Sequence, residues 1–431
     1  MIDPMGGAPA GERPPAQPAS GGRGRLARVE ELAFPRMAGT DGERRAADHV
    51  AARLAALGLD VSREPFRVSR TALGRMRRLL HGLVAAAIVF FAALARRGAA
   101  EAWIVGVATL ALMLGVSSWR RSIERAFDIG PEIGSENVAG RRSPKRSGGA
   151  TCRVVVLAHL DSKSTRFPTF WPASAVLATL AWLAFATALA ALGALHPGYI
   201  FPRAAAAIGW ALAALLFVVA WNPAGNESPG AMDNASGLAV LLELAESLPR
   251  EAALDGVELT FLATGAEEVG LAGAMRWIQA HERRFERSRT TFLNVDSVGV
   301  GKGLLAIDVR GRAPDGRPMR RMLAEAAQAA GVRLRVLPFL PGVGVDTMPM
   351  GARGFATASI LGEVLGAASR RIHSARDTME PLEEEGLEAA VRLCAQVVRE
   401  VSRVTRGDAG GGQGSGGASG STLGGSSKSG E

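Results

Sequence analysis

Four long apolar runs constrain this chain more than any other feature, because each must be removed from water, either in the core of a soluble protein or in a membrane. They cover residues 79–95, 102–117, 171–195 and 204–221, and short connectors join them into two pairs. A membrane-spanning helix needs about 20 apolar residues, with about 17 as the lower limit. The third run exceeds this length, whereas the first two are marginal. The pairs predict transmembrane helical hairpins at 79–117 and 171–221, with buried helices of a soluble protein as the alternative.

The residues that flank the runs favour the membrane. Tryptophans lie at the ends of the runs, where amphipathic rings prefer the headgroup region; they are Trp103, Trp119, Trp171 and Trp221. Most flanking positive charges lie outside the connectors: Arg70, Arg75, Arg77, Arg78, Arg120, Arg121, Arg125, Lys163 and Arg166. The connectors hold only Arg96, Arg97 and Arg203. The positive-inside rule therefore places both connectors outside and the rest of the chain in the cytoplasm.

The overall charge agrees with a membrane partner. Lysine and arginine number 50 against 41 aspartates and glutamates, a formal net charge of +9. This charge flanks the apolar runs rather than interleaving with aromatic residues, so we expect no nucleic-acid partner. The glycine-rich stretch "GVGVGKG" lacks the spacing of a phosphate-binding loop. Cys152 and Cys394 have no metal-like spacing and imply no disulfide framework, which favours a reducing compartment.

The two ends of the chain have little to bury. Residues 1–24 are rich in proline, glycine and alanine, and they lack the apolar core of a secretory signal. Residues 406–431 are rich in glycine and serine. Both compositions predict disordered tails. Residues 25–405 remain as one domain into which the two hairpins are inserted.

Outside the hairpins, strand-like and helix-like segments alternate. "CRVVVLAHLD", "GVELTFLAT" and "TTFLNVDSV" have the pattern of buried strands, whereas "ASGLAVLLELAESL" and "LEAAVRLCAQVVREVSRV" have apolar residues at helical spacing. This alternation predicts an α/β domain with a mostly parallel central sheet. In such sheets the functional residues gather beyond the carboxyl ends of the strands.

Seven polar residues lie at these strand ends or in nearby loops: His159, Asp161, Asp233, Glu267, Glu268, Asp296 and His373. Singly, each has a structural explanation: Asp233 could cap a helix, and His159 could be a hydrogen-bonded core histidine. Together, two histidines and several carboxylates are the ligands expected of a zinc site without thiolates. The short spacing of His159 and Asp161 also lets the carboxylate reach the far ring nitrogen.

Six stretches, in order, resemble the motifs of the dinuclear zinc aminopeptidases, metallopeptidase family twenty-eight. They are "FPRMAGTDGERRAADHVAARLAALGLDV", "AHLDS", "GAMDNASG", "EEVGLAG", "NVDSVG" and "HSARDT". The resemblance implies a three-layer α/β/α sandwich of the zinc exopeptidase kind, here interrupted by two transmembrane hairpins. It implies an aminopeptidase that acts on peptide or peptide-like substrates. With the charge pattern, it predicts an integral protein of the bacterial inner membrane whose catalytic domain faces the cytoplasm.

The resemblance also assigns roles around two zinc ions per chain. His159 and Asp296 would hold one ion, Glu268 and His373 the other, Asp233 would bridge them, Asp161 would orient His159, and Glu267 would be the general base. The base would take a proton from a water molecule and pass it to the leaving amine. The nearby cations would make two adjacent glutamates tolerable.

The sequence departs from the family pattern in three places. The second hairpin separates His159 from Asp233, Thr347 stands where the family has a histidine, and the only tyrosine is Tyr199, in a connector. Three alternatives therefore remain open: a related zinc amidohydrolase, a single-zinc glutaminyl cyclase-like acyltransferase, and a catalytically dead membrane scaffold. The complete ligand set argues against the single-zinc enzyme and the scaffold.

Overall fold

A computed structural model describes residues 24–97, 101–115, 130–145, 152–168, 170–196, 200–338 and 343–410. The predicted tails lie almost wholly outside the described residues, as do Trp119, Tyr199 and the arginines that follow the first hairpin. The last helix, Glu384–Gly410, extends past residue 405, where the carboxyl-terminal tail was predicted to begin. Extending an existing helix adds one hydrogen bond for each residue that is fixed, so a few glycine-containing turns can be added at low cost.

An eight-stranded mixed sheet forms the centre of the soluble part, and a two-stranded sheet lies beside it. The strands are β1 Asp60–Ser69, β2 Glu132–Arg142, β3 Cys152–His159, β4 Ser164–Thr165, β5 Ala224–Gly225, β6 Val257–Thr264, β7 Thr290–Asp296, β8 Leu304–Arg310, β9 Leu334–Val336 and β10 Ala356–Leu361. The order in the large sheet is β1-β2-β6-β3-β7-β10-β8-β9. The four central strands β6, β3, β7 and β10 are parallel. The predicted α/β class with a mostly parallel sheet is confirmed.

Helices cover both faces of the sheet. The soluble part contains Arg25–Glu30, Asp41–Ala56, Ser236–Ser247, Ala272–His281, Met319–Ala330, Met348–Gly351 and Glu384–Gly410. Alternate residues of β3 belong to different hydrophobic clusters: Val154 and Val156 pack with helices 41–56, 236–247 and 384–410. Val155 and Leu157 pack on the opposite face, against helix 272–281. This period of two is the pattern of a strand buried on both faces, and it confirms the three-layer sandwich.

Both apolar hairpins enter the fold between antiparallel strands. The first leaves β1 at Ser69 and returns to β2 at Glu132, two residues that pair with each other. The second leaves β4 and returns at β5, which pairs antiparallel with β4. Asn222 closes the base of the second hairpin, because its side-chain amide both donates to and accepts from the backbone of Phe167, each at 2.8 Å. A turn between antiparallel strands can be lengthened without moving the strands, so the sheet tolerates both insertions.

The hairpin helices are Ala72–Arg96, Ala102–Gly115, Phe170–Leu195 and Arg203–Ala220, and they pack into one bundle. Phe91 contacts Trp182 and Phe201 edge to face at its centre, with ring centroids 5.8 and 5.9 Å apart. Three helices, Arg77–Arg96, Phe170–Leu195 and Arg203–Ala220, are long and apolar enough to cross a membrane. The helix Ala102–Gly115 is shorter, at roughly 21 Å for its 14 residues. The end of the second predicted run, residues 116–117, lies outside the described residues.

Candidate metal centre

The predicted ligands meet because three parallel strands end at the same edge of the sheet. His159 is the last residue of β3 and pairs with Thr264, the last residue of β6. Asp296 is the last residue of β7 and pairs with Leu361, which ends β10. Glu267 and Glu268 follow β6 in a single 3-10 turn, Glu267–Val269. The position expected for a functional site in a parallel sheet is therefore occupied by these side chains.

The five predicted metal ligands form two groups that share one residue. His159, Asp233 and Asp296 make one group, and Asp233, Glu268 and His373 make the other, with the ligand atoms of each group within 4.8 Å of one another. Asp233 Oδ1 lies 2.9 Å from His159 Nε2, and Asp233 Oδ2 lies 3.2 Å from His373 Nε2. His373 Nε2 is 2.9 Å from Glu268 Oε1. One carboxylate thus presents a different oxygen to each group, as a bridging ligand does.

Asp161 contacts both His159 and the turn that follows β6. Its backbone carbonyl lies 3.0 Å from His159 Nδ1, and its carboxylate Oδ1 lies 3.7 Å from the same nitrogen. The fully buried carboxylate also accepts hydrogen bonds from the backbone N–H groups of Glu267, at 2.9 Å, and Glu268, at 3.1 Å. Asp161 therefore fixes both the imidazole ring and the turn that carries the two glutamates.

Two buried residues that the sequence reasoning missed hold the loop of Asp233. The carboxylate of Asp377 accepts from the backbone N–H groups of Met232, at 2.7 Å, and Asp233, at 3.3 Å. Asn234 donates to the backbone carbonyl of Val295 and accepts from the backbone N–H of Ser297, which joins this loop to the end of β7. Asp377 lies in the "HSARDT" stretch, so a polar residue four positions after a ligand histidine was the available signal.

Two more buried polar side chains, Arg36 and Glu43, support the surrounding loops. The guanidinium of Arg36 is fully buried and donates to the backbone carbonyls of Leu160 and Gly230, on either side of the site. Glu43 accepts from Ser135 Oγ, at 2.6 Å, and from the backbone N–H of Ala266, at 3.1 Å. Burial, and to a lesser extent the nearby Asp161 carboxylate, raise the pKa of Glu43 to about 8. The "FPRMAGTDGE" stretch thus supports the site without contributing a ligand.

Excess negative charge is concentrated at the centre of the site. Burial raises the pKa of Glu267 well above its usual range despite the nearby His159, and the carboxylates of Glu268 and Asp346 raise it further. Burial opposes the charging of His373, but the carboxylates of Glu268 and Asp233 raise its pKa to about 9. In this site protons or neighbouring imidazolium ions stabilise the buried carboxylates. A bound cation would neutralise their charge instead. The donors are imidazole nitrogens and carboxylate oxygens, a set that fits zinc.

Lys163 is a cation in the site that the sequence reasoning did not assign to it. Its Nζ lies 2.5 Å from Glu268 Oε2, and the lysine lines the same cavity as the ligands. In the sequence it belongs to the charges that flank the second hairpin, and its position two residues after Asp161 gives no other signal. It adds positive charge beside the second ligand group.

The site opens into a cavity of about 480 Å³. Its lining combines the predicted ligands and Glu267 with mostly apolar side chains. The first two turns of the apolar helix Phe170–Leu195 contribute Phe170, Ala173, Ser174 and Leu177. The loop after β10 contributes Leu365 and Ile372. A helix of the second hairpin is therefore part of the cavity.

Thr347, which stands at the family's histidine position, does not line this cavity. Its hydroxyl donates to Asp308 Oδ2 at 2.7 Å and lies 2.7 Å from Ser359 Oγ. The neighbouring Asp346 hydrogen-bonds with Thr264 at the end of β6, and burial raises the pKa of Asp346 to about 7. The threonine thus serves a buried hydrogen-bond network behind the site.

Comparisons with known proteins identify the fold and the family. The family model for peptidase family M28 matches residues 137–398, more than half of the chain. The chain belongs to peptidase family M28. Aminopeptidase YwaD from Bacillus subtilis (strain 168) is 28% identical over 189 residues, which cover 43% of this chain and 41% of that relative. The M28 member thus aligns with less than half of that relative's length.

Two solved structures share the M28 member's fold. A zinc aminopeptidase from Bacillus subtilis superposes with a TM-score of 0.51 at 16% identity, over 87% of this chain and 93% of that one. The glutaminyl cyclase of Fimbriiglobus ruber superposes with a TM-score of 0.50 at 13% identity, over 89% and 99%. At these identities the likeness concerns the fold, which the M28 scaffold shares with a peptidase and with a cyclase.

Proposed function

We propose that this M28 member is a membrane-anchored, zinc-dependent aminopeptidase that hydrolyses the amino-terminal peptide bond of its substrates. The observation that carries the proposal is the pair of ligand groups joined through Asp233 in the lining of one cavity. A two-metal hydrolytic site needs a carboxylate that reaches both ions and a base beside them. Glu267 lines the cavity and belongs to neither group, so it is free to be that base.

The residues divide the chemistry between them. His159 and Asp296 would hold one zinc ion, Glu268 and His373 the other, with Asp233 between them. Bound zinc ions supply Lewis acidity, which polarises the scissile carbonyl and lowers the pKa of a water molecule. Glu267 would accept the proton of the attacking water and deliver it to the departing amine. Asp161 would hold Glu267 and Glu268 in register through their backbone N–H groups.

The hairpins would anchor this centre at a membrane surface. The bases of both hairpins lie on the catalytic domain, and the flanking arginines put that domain in the cytoplasm under the positive-inside rule. Arg77 and Arg78, which contact the backbone of Asn222 and the ring of Trp221, belong to this positive boundary. We therefore place the protein in the bacterial inner membrane with its catalytic domain inside.

The test is to count zinc and to compare substrates with free and blocked amines. Detergent-purified protein, stripped of loosely bound ions, should contain close to two zinc ions per chain by elemental mass spectrometry. It should cleave a peptide with a free amino terminus and leave the acetylated peptide intact. Glu267→Gln should retain both ions and lose turnover by a factor of about 10² to 10⁴, the usual contribution of a general base.

Other outcomes would select the alternatives. One zinc per chain, with cyclisation of amino-terminal glutamine, would favour the cyclase-like acyltransferase whose fold this chain shares. Two ions with cleavage of a non-peptide amide would favour an amidohydrolase. No zinc, even after zinc is supplied, would indicate a scaffold.

A further inference from the structure

One face of the helix Phe170–Leu195 runs from the metal centre into the apolar bundle. Its first two turns line the cavity with Phe170, Ala173, Ser174 and Leu177, which are spaced by three or four residues and so share one side of the helix. Leu177 lies seven residues into the helix, roughly 10 Å along its axis from Phe170. Its side chain is 49% exposed although it lines the cavity. Leu177 therefore belongs both to the cavity lining and to the exposed surface of this helix.

The same side of the helix stays exposed beyond the cavity. Continuing in steps of three or four residues, the exposed positions are Leu177, Ala181, Ala184, Phe185, Ala188 and Leu192. We call these six residues the exposed stripe. Phe185 and Leu192 are 59% and 52% exposed, whereas Leu183 and Ala186 on the other side pack inside the bundle. The stripe carries no charge and extends roughly 22 Å, most of a hydrocarbon core of about 30 Å.

The loop after β10 adds a second exposed apolar side chain to the cavity lining. Leu365, from this loop, is 45% exposed and lines the same cavity as the helix. The guanidinium of Arg370 in the same loop lies 4.9 Å from the centroid of the Phe170 ring, so loop and helix are in contact. Leu177 and Leu365 thus belong both to the lining of the cavity that contains the ligand groups and to the exposed apolar surface.

We propose that this M28 member acts on peptides that are themselves embedded in the bilayer close to a free amino terminus. This rests on the aminopeptidase function proposed above. The substrate's apolar segment lies along the exposed stripe in the lipid, and its first residues pass between Leu177 and Leu365 to the metal centre. The observation that supports this occupant is that one face of a single helix lines the cavity at its start and continues as the exposed stripe, so a peptide in the lipid beside the stripe lies next to the cavity.

The test compares two peptides on the full-length, zinc-loaded protein in phosphatidylcholine–phosphatidylglycerol nanodiscs. Both have the same first four residues and a free amine; one continues into an apolar spanning segment and the other into a soluble glycine–serine–lysine segment. Confinement to one bilayer raises the effective concentration, so kcat/KM should favour the embedded peptide by about 10² or more.

Confinement alone would also favour the embedded peptide, so variants must test the path itself. Ala181→Trp places a large ring on the stripe beyond the cavity, and it should lower kcat/KM for the embedded peptide severalfold while turnover of the soluble peptide stays unchanged. Ala214→Trp is the matched control, because Ala214 is an exposed alanine on the neighbouring helix Arg203–Ala220 and does not line the cavity. Unchanged cleavage of the soluble peptide and retained zinc also show that each variant is folded.

A second measurement needs no bulky substitution. The embedded peptide carries a photoreactive residue in its apolar segment and is offered to Glu267→Gln protein. Crosslinks are expected on the exposed stripe rather than on the helix Arg203–Ala220. Equal effects of the two tryptophan variants, or crosslinks spread evenly over both helices, would overturn the path. Failure to cleave either peptide would instead overturn the aminopeptidase function, whereas cleavage of both at equal rates would overturn only the substrate preference.

Discussion

Replacing Asp161 by asparagine tests how the two glutamates are held. The change keeps the size of the side chain and leaves the backbone carbonyl that faces His159 Nδ1 in place. It removes the negative charge that accepts from the N–H groups of both Glu267 and Glu268. An asparagine offers only one oxygen, so its amide NH₂ would face one of the two N–H donors. The turn after β6 should therefore loosen while the histidine ring stays oriented.

The size of the effect follows from these two contacts. A hydrogen bond to a buried charged group contributes about 1.5–3 kcal/mol, so losing one and weakening the other removes roughly 2–4 kcal/mol from the native turn. Part of that loss appears as weaker metal binding, because residues that orient metal ligands typically control affinity by about 10- to 100-fold. We expect the affinity for the ion proposed to lie between Glu268 and His373 to fall by about this factor. The ion at His159 and Asp296 should change much less.

The assay is zinc retention against a graded series of chelator concentrations, with kcat measured on the same samples. Asp161→Asn should release one ion at low chelator concentration and the second near the wild-type concentration. Asp377→Asn is the matched control: it weakens an equivalent clamp, on the backbone of Met232 and Asp233. Because Asp233 belongs to both groups, this variant should release both ions early. If the Asp161→Asn protein keeps both zinc affinities and its kcat, the two hydrogen bonds of the Asp161 carboxylate do not hold the turn in its binding geometry. If the ion at His159 is lost early, the carboxylate of Asp161 orients the His159 ring.

Three further predictions concern the site, its support and the bundle. Asp233→Ala should lose both ions, measured as zinc per chain, because its carboxylate lies in both ligand groups; a full zinc complement would contradict the bridging role. Burial raises the pKa of Glu43 from 4.5 to about 8, so the folded state retains a proton that the unfolded chain releases, and the stability from this group falls as pH rises across that window. In zinc-free protein, Tm should fall less steeply between these pH values for Glu43→Gln than for the wild type. An equally steep fall would show that Glu43 does not cause the pH dependence of Tm. Gly209→Ala should lower Tm, since a Cβ there would lie 2.4 Å from the Trp182 ring, whereas Gly82→Ala, which meets no atom within 4 Å, should not.

The sequence predicted the sheet because its central strands are buried on both faces. An unbroken apolar run such as "CRVVVLAH" is compatible with little else when turn signals and polar residues bound it. The antiparallel strands β1 and β2 were harder to place, since the first hairpin separates them in the chain. Their pairing depends on contacts between residues such as Ser69 and Glu132, and local sequence carries no record of such distant contacts.

The grouping of the candidate ligands was predictable from the sequence, but most of the residues that support them were not. His159, Asp233 and Glu268 lie in short motifs, and parallel strands bring strand ends together at one edge. Arg36, Glu43 and Asp377 bind backbone groups, and every residue has a backbone, so the sequence does not reveal which residues they contact. Asp161 shows the same limit: its spacing to His159 predicted a contact with the ring, but gave no sign that its carboxylate also binds the N–H groups of a turn more than a hundred residues away.

The departure from the family pattern between His159 and Asp233 is also what gives the cavity its apolar wall. The second hairpin begins and ends at the short antiparallel pair β4 and β5, immediately after the strand that carries His159. Because this pair keeps its own register, the hairpin can be long without displacing the ligand. Its first helix nevertheless starts shortly after β4, at Phe170, and its first turns line the cavity. Under the proposals above, anchoring and substrate selection would depend on the same helix, so changes to its exposed residues nearest Phe170 should alter specificity, while those near Leu195 should alter only the anchoring.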